Sequence, residues 1–389
     1  MTIKRNETKQ IKLFEVFAGI GSQYQALKDI ANSKKWNIKS VGIIEWFIPA
    51  IIAYQAIHYK RKVVKKQDLK TTEINLSLDS KTKVSPLWLN KYKKQTYEAF
   101  WINESLNKAN NFFDIKTTSG QDLPDEIDIF TYSFPCQDIS HQGKQNGFDR
   151  NSNTRSGLLW EIERLLMEMQ TSYKKLPKYL LLENVKAIVN QKHFPVLLSW
   201  LERLNDFGYV SQHYVLNSAN FGSPQNRERV FVISVLKEHQ KQVDFKFPEF
   251  KQIKKQKIAI KTVLNSNQNF EPFYNKFNLI NKPSTNNNIK KYYLQDYTNF
   301  QSESYVYDIN HSGPTLTASG AMSRIKLYFG PNQIRSMQPE ECFVYMGFKK
   351  QAFARVVKTN LIKSNKLIYL AGNSIPVQLL RAIFRSFKF

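Results

Sequence analysis

The chain is expected to fold as an α/β protein, a doubly wound sheet accompanied by a second, smaller domain. Three observations predict this. Apolar strand-like runs alternate with helical stretches as far as Leu236. Beyond Leu236 the alternation stops, and Lys, Asn, Gln and aromatic residues take over. From Pro376 to Phe387 the pattern is helical again, with an apolar face suited to packing back on the first domain. The expected division is therefore 1–237 with 346–389 for the sheet domain, and 238–345 for the smaller domain with its hinge.

The elements follow in order. Residues 11–19 read as a buried strand, Gly19-Ile20-Gly21 as a turn, and Ser22 as the N-cap of a helix reaching about Ile30. Residues 39–46 form a second strand, after which Pro49 opens a helix ending at His58. Residues 60–110 are lysine-rich and weakly periodic, an elaboration of the sheet domain with helix near 93–109. Strand character returns at 127–134. A polar loop follows to Arg155, then a helix at 157–169 and a buried strand at 178–185. A helix at 195–206 and strands near 209–217 and 229–236 complete the alternation. β-branched and turn residues mark 303–328. No internal repeat is present.

Charge is the strongest global feature. Lys and Arg number 57 against 32 Asp and Glu, a net +25, which favours a polyanionic partner, most simply nucleic acid. The plainer reading is the lysine bias of an AT-rich genome. No run of about 18 apolar residues exists, so no membrane span is expected. The polar, basic N-terminus and the short apolar stretch containing Glu15 do not read as a signal peptide, and a cytoplasmic place is expected. Two cysteines without a Cys-x-x-Cys pair point to no metal site. A disulfide between Cys136 and Cys342 is disfavoured in a cytosolic chain.

Several positions carry chemistry. Phe17-Ala18-Gly19-Ile20-Gly21 follows a strand and opens a helix, where backbone amides can approach a ligand; such a pair is as often only a turn. Glu45 ends the second strand, where an acid can hold a ribose diol; it could equally be a solvent-facing carboxylate. Trp46 could stack on a base or simply fill the core. Cys136 sits in a Pro-Cys-Gln turn after a strand and could act as a nucleophile if activated. Its polar neighbours Gln137, Asp138 and Ser140 argue against an inert buried thiol. Glu183 ends an apolar strand at the sheet edge where ligands bind, and can serve as a proton donor. Gln225, Arg227 and Arg229 alternate, which would place all three on one face of a strand. A basic strand end at the surface is the plainer reading of them.

Taken together and in order, these segments resemble the cytosine-C5 DNA methyltransferase family. The matching stretches are Phe17 to Gly21, Glu45-Trp46, Asp114-Ile115, Phe134-Pro135-Cys136-Gln137, Arg155 to Leu158, Glu183-Asn184-Val185, Gln225 to Arg229 and Gly372 to Pro376. They span about 17–235 and 331–380; within 237–330 only Gly313 to Ala318 matches. Ser133 and Ser22 stand where glycine is usual, and Ile334 to Glu340 matches an Arg-x-Leu-Thr-x-x-Glu pattern loosely.

The resemblance implies a Rossmann-like mixed sheet of the S-adenosylmethionine (SAM)-dependent methyltransferase type, with a target-recognition domain. SAM would lie against Phe17, Ala18, Gly19, Ile20 and Gly21. Glu45 would hold the ribose, Trp46 and Ile115 would flank the adenine, and Asp114 would read its amine. Pro135, Leu158, Asn373 and Ser374 would close the site, and the product would be S-adenosylhomocysteine. The Cys136 thiolate would add to cytosine C6, Glu183 would hydrogen-bond N3 and the exocyclic amine, and Arg229, next to Arg227, would contact O2.

The target base would be flipped from double-stranded DNA, with Gln142 filling its place as the loop closes. Segments around Cys136, Arg155 and Gly313 are similar to bacterial CpG-specific members, so CpG is the expected target. DNA-contacting candidates are Gln142, Arg155, Gln225, Phe300, Thr315, Thr317, Ser319 and Arg324, each of which could instead serve the fold. A monomer on nucleoid DNA, paired with a restriction enzyme, is the expected setting. An RNA cytosine methyltransferase and a non-catalytic DNA-binding protein on the same scaffold are the competing readings.

Overall fold

The structure is a computed structural model describing residues 8–59, 63–70, 73–85, 89–90, 95–135, 155–250, 258–266, 269–282 and 288–389; the side chains of Arg155 and Ser156 are excepted. The chain divides into two compact units. The first is Met1–Leu216, Glu228–Glu249 and Ile383–Phe389; the second is Asn217–Arg227 and Phe250–Ala382. These limits differ from the expected domain limits. Residues 346–382 and the 217–227 connection belong to the second unit, and 238–249 to the first. Composition marks where periodicity changes, whereas long-range packing sets the units.

The first unit is built on a six-stranded sheet of β1 (Lys9–Val16), β2 (Trp36–Ile44), β3 (Ile129–Tyr132), β4 (Tyr179–Val185), β5 (Tyr209–Asn217) and β6 (Glu228–Leu236), ordered β2-β1-β3-β4-β6-β5. β1 runs parallel to β2 and β3, β3 parallel to β4, and β6 antiparallel to β4, so the sheet is mixed. Successive strands diverge to opposite sides of β1. The carboxyl ends of β1 and β3 are thus the switch point where such sheets take ligands. Helices α1 (Ser22–Lys34), α2 (Ile48–His58), α3 (Tyr97–Ala109), α4 (Leu159–Thr171), α5 (Phe194–Asp206) and α6 (Lys237–Gln242) belong to the same unit.

β4 is apolar on both faces because both are covered; Leu180, Leu182, Ile162, Leu166 and Trp200 join one core. Buried Tyr132 keeps its hydroxyl satisfied by accepting from Trp200 Nε1 at 3.1 Å. The chain end packs on the same unit, Phe387 stacking on Tyr179 with ring centroids 4.2 Å apart.

Three local expectations are corrected. Ser22 is the first residue of α1 rather than its cap; Gly21 caps it at φ 76 without a side-chain bond. A serine cap needs extended backbone, and the chain arrives here in a left-handed turn. β2 ends at Ile44, leaving Glu45 just beyond the strand. Ser364–Arg385 is long and apolar enough, by length and composition, to cross a membrane, although no such stretch was expected. Polar residues interrupt its apolar run without lowering the average enough. It is mostly buried and broken at Pro376 into two helices, as core helices can be.

The second unit contains β7 (Leu279–Lys282), β8 (Lys291–Leu294), β9 (Tyr305–Asp308), β10 (Lys326–Gly330) and β11 (Gln333–Ser336), ordered β11-β10-β9-β8-β7. β9 and β10 are parallel and the other neighbours antiparallel. Tyr274, Leu294, Val306 and Ile334 form its small core. Helices α7 (Pro339–Tyr345), α8 (Lys350–Val357) and α9 (Ser364–Asn373) follow, and the division between units falls inside α10 (Val377–Arg385).

One buried charge makes the first unit pH-sensitive. Glu15 on β1 is fully buried, accepting from the Tyr54 hydroxyl at 2.7 Å and the Tyr24 amide at 3.2 Å. Burial pushes its carboxyl up to about 7, against the pull of Tyr54, Tyr24 and Lys28. Between the ordinary carboxylate range and pH 7, the folded chain therefore holds a proton that the unfolded chain has released. Stability contributed by this group is complete at low pH and falls as pH rises through that window. Glu15→Gln keeps the bond from the Tyr24 amide and reverses the other, its amide nitrogen donating to the Tyr54 hydroxyl, and its stability relative to the parent should rise by about 3 kcal/mol between pH 4.5 and pH 8. Denaturant unfolding of both proteins at the two pH values checks this; parallel curves would refute it.

Candidate active site

The loop after β1 is built for close approach. Phe17 and Gly19 both adopt φ 57, the left-handed region, and the Gly21 amide donates to the Ala18 carbonyl at 2.9 Å. The two glycines serve different ends. A side chain at Gly21 would collide with His58 and Tyr54, so this glycine is required by packing. Gly19 faces open space, with no atom within 4 Å of where a Cβ would stand. Its left-handed backbone and the vacancy beside it suit a ligand lying against the loop.

Glu45 closes the other side of this loop. Its carboxylate accepts from the Gly19 amide at 2.8 Å and the Phe47 amide at 2.8 Å. Burial pushes its carboxyl up to about 7, and the amides of Phe47, Gly19 and Trp46 pull it back. The carboxylate keeps acceptor capacity for a hydroxyl donor. This acceptor fits the ribose of a nucleoside, and SAM fits the residues present in that respect. Trp46 is half-buried beside it.

Asn111 escaped sequence reasoning. Its amide oxygen accepts from the Glu45 amide at 3.1 Å and the Phe113 amide at 2.9 Å, and its nitrogen donates to the Glu45 carbonyl at 3.0 Å and to Ser105 Oγ at 3.3 Å. A buried amide with all four valences used ties the Glu45 turn to the Asp114 turn. The signal available was an Asn three residues before Asp114. Asp114 itself is half-buried and accepts from Asn75 Nδ2 at 2.7 Å. Ile115, beside it, is 2% exposed and packs with the sheet core. Pro135 and Leu158 are half-buried in the same unit.

The ends of β4 and β6 bring two further expected residues together. Antiparallel register sets Val185 opposite Arg229, and Arg229 Nε lies 3.4 Å from Glu183 Oε1. Both side chains are largely buried, at 16% and 11% exposed. Asn184 turns back and donates to the Phe134 carbonyl at 3.2 Å, which fixes the chain just before Cys136. Cys136 and Gln142 lie outside the described residues, as does the side chain of Arg155. The second cysteine, Cys342, is 1% exposed, and burial drives its thiol far above the ordinary range. It is therefore an inert thiol.

The second unit redistributes the remaining candidates. Gln225, Arg227 and Arg229 do not share a strand face, because β6 begins only at Glu228. Gln225 is fully buried, accepting from the Leu316 amide at 3.1 Å and donating to Met346 Sδ at 3.1 Å, so it presents nothing to DNA. Arg227 donates to the carbonyls of Leu316 at 2.6 Å and of Gly372 and Ser374 at 3.2 Å each. It is a clamp on two distant segments rather than part of a reacting group. Thr315 spends its hydroxyl on the Asn226 carbonyl at 2.7 Å, and Thr317 on that of Ser319 at 2.8 Å. Phe300 at 72%, Ser319 and Arg324 remain exposed, with Arg324 bonded to Glu303 at 2.6 Å. Asn373 is exposed, and Ser374 is buried with its hydroxyl on the Leu370 carbonyl at 2.8 Å.

Residues 72–388 match the family model of the C-5 cytosine-specific DNA methylase. The orphan methyltransferase M.SssI of Spiroplasma monobiae is 43% identical over 98% of both chains. The type II methyltransferase M2.ScrFI of Lactococcus lactis subsp. cremoris is 34% identical over 96% of this chain and 98% of its own. Among solved structures, the S. pombe Dnmt2 methyltransferase superposes with a TM-score of 0.59 over 97% of this chain and 98% of its own, at 15% identity, a likeness of fold alone.

Proposed function

Because this chain belongs to the C-5 cytosine-specific DNA methylase family and methylates cytosine C5 in DNA with SAM as donor, we propose that Cys136, Glu183 and Arg229 form its reacting set and that CpG is its target. The observation that carries the first part is the Glu183–Arg229 pair at the carboxyl end of β4, beside the tethered turn that leads into Cys136. SAM, held by the Phe17–Gly21 loop, Glu45, Trp46 and Asp114, supplies an electrophilic methyl group. Cytosine C5 is too weak a nucleophile to take it unaided.

The Cys136 thiolate forms a bond to C6, and Glu183 donates to N3, so the electron pair is carried to C5. Arg229 holds Glu183 in place and faces O2. After C5 is methylated, a base removes the C5 proton, the C6–S bond breaks and the thiolate is regenerated. The largely buried pair suits this role, since a carboxyl shielded from water transfers its hydrogen bond to the base rather than to solvent.

The proposal assigns catalysis to the sheet unit and target reading to the second unit, with Ser319, Thr317, Arg324 and the exposed Phe300 as its DNA-contacting residues. Gln142 and Arg155 keep their proposed place in the loop that follows Cys136. The net charge of +25 supports a duplex partner through phosphate contacts. One copy per site, nucleoid association in the cytoplasm, and pairing with a restriction enzyme complete the reading.

Bisulfite sequencing of a plasmid exposed to the enzyme tests target and activity together. Protection of every CG is the expected result; protection confined to another motif would sink the CpG assignment. Offering duplex DNA and transfer RNA side by side separates the RNA reading, which requires RNA to be the better acceptor.

A further inference from the structure

We infer that α2 is a brace for the cofactor loop, and that His58 at its far end is a positioning residue for SAM. This rests on the reading of Phe17–Gly21 as the cofactor loop. The helix is joined to that loop at both ends. At its start, the Phe47 amide donates to one oxygen of Glu45, whose other oxygen accepts from the Gly19 amide. At its end, His58 Nε2 lies 2.9 Å from the Ile20 carbonyl, and His58 Nδ1 lies 2.9 Å from Lys28 Nζ on α1.

Chemistry fixes the state of this ring. A carbonyl only accepts, so Nε2 carries the hydrogen and donates to Ile20. A lysine ammonium only donates, so Nδ1 accepts. His58 is thus a neutral imidazole in a single tautomer, placed between a cation and the loop. Its ring is held sideways by Tyr24 and Tyr54, with centroids 5.0 Å and 4.6 Å away. Lys28 is held in turn over the Tyr24 ring at 4.4 Å. Gly21 has no room for a side chain because this ring fills the space. The loop is consequently gripped at Gly19 through its amide and at Ile20 through its carbonyl, with the open side of Gly19 left for the ligand.

The test compares His58→Phe, which keeps the ring contacts and removes both hydrogen bonds, with His58→Gln, which restores a donor for Ile20 and an acceptor for Lys28. Glu45→Gln reports on the cofactor site at the start of the helix. His58→Phe should raise the KM for SAM and the Kd for S-adenosylhomocysteine about tenfold, leave the KM for DNA unchanged, and be largely reversed in His58→Gln. Parental affinity in His58→Phe alongside weakened binding in Glu45→Gln would overturn the brace while sparing the site. A rise in both KM values, or no recovery with glutamine, would mean general loss of structure and would also overturn it. Parental affinity in both His58→Phe and Glu45→Gln would remove the cofactor-site reading and the brace with it.

Discussion

Cys136→Ala should abolish methyl transfer from labelled SAM to CG-containing duplex, a loss of about 10⁴-fold or more, as expected when the nucleophile of a covalent mechanism is removed. No other thiol can stand in. Cys342 is buried in α7 with a thiol that burial holds protonated, and the chain has no third cysteine. Glu183→Gln should be milder, roughly 10²- to 10⁴-fold in kcat, because the amide still fills the place and can donate but cannot exchange a proton. Both variants should bind S-adenosylhomocysteine as the parent does, since neither residue belongs to the loop that would hold it. Duplex containing 5-fluorocytosine should trap a covalent complex with the parent and none with Cys136→Ala. Turnover persisting in Cys136→Ala, or an adduct forming with it, would remove Cys136 from the mechanism. Absence of any adduct with the parent would favour a non-catalytic DNA-binding protein.

The second large effect concerns stability. Arg335 and Glu341 form a bidentate pair at 2.8 and 2.7 Å with both side chains only 1% exposed. Glu341 also accepts from the amides of Gln338 at 2.9 Å and Asn265 at 3.1 Å, which closes the capping box of α7 and ties in a distant segment. Removing one partner leaves a buried ion without compensation, so Glu341→Ala should cost about 3–5 kcal/mol. That is a large share of the roughly 5–15 kcal/mol by which domains are stable. The double variant Arg335→Met with Glu341→Leu should be more stable than Glu341→Ala alone, because no orphaned charge remains. Denaturant unfolding of the two proteins decides the matter; a cost below about 1 kcal/mol for Glu341→Ala would show that water reaches the pair.

This pair also explains a loose motif. The Arg-x-Leu-Thr-x-x-Glu pattern looked weak when ended at Glu340, yet counted from Arg335 its acid is Glu341. Met337 takes the leucine place, and Gln338 takes the capping place of the threonine. The pattern is a helix start with a buried counter-ion, and two of its substitutions preserve that physics.

Much of the first unit was legible because its periodicity is local. The uninterrupted Leu180-Leu181-Leu182 run reads as a strand covered on both faces, and Pro49 marks a helix start within a residue or two of the one observed. Glu183 and Arg229 were legible as strand ends, and the antiparallel register of β4 and β6 then set them side by side. The misreadings were of another kind. Gln225 and Arg227 look like surface residues in any local window. Their partners Leu316, Gly372 and Ser374 lie from 89 to 147 residues away, and no short pattern can announce such distances. The turn at Ile115 is likewise tied down from afar, by Arg164, which donates to its carbonyl at 2.7 Å.

By itself, the sequence determined the order of strands and helices in the first unit, the family resemblance, and the polyanionic character of the partner, since each depends on residue type and near-neighbour spacing. Only the tertiary structure decided which polar side chains face a ligand and which hold the fold. It turned Arg227 into a clamp, tied Asn111 to the Glu45 turn and His58 to the loop after β1, and separated the work of Gly19 from that of Gly21. The reason is desolvation: a polar group's role depends on whether its hydrogen bonds are met by distant backbone or left open, and that is settled when the chain packs.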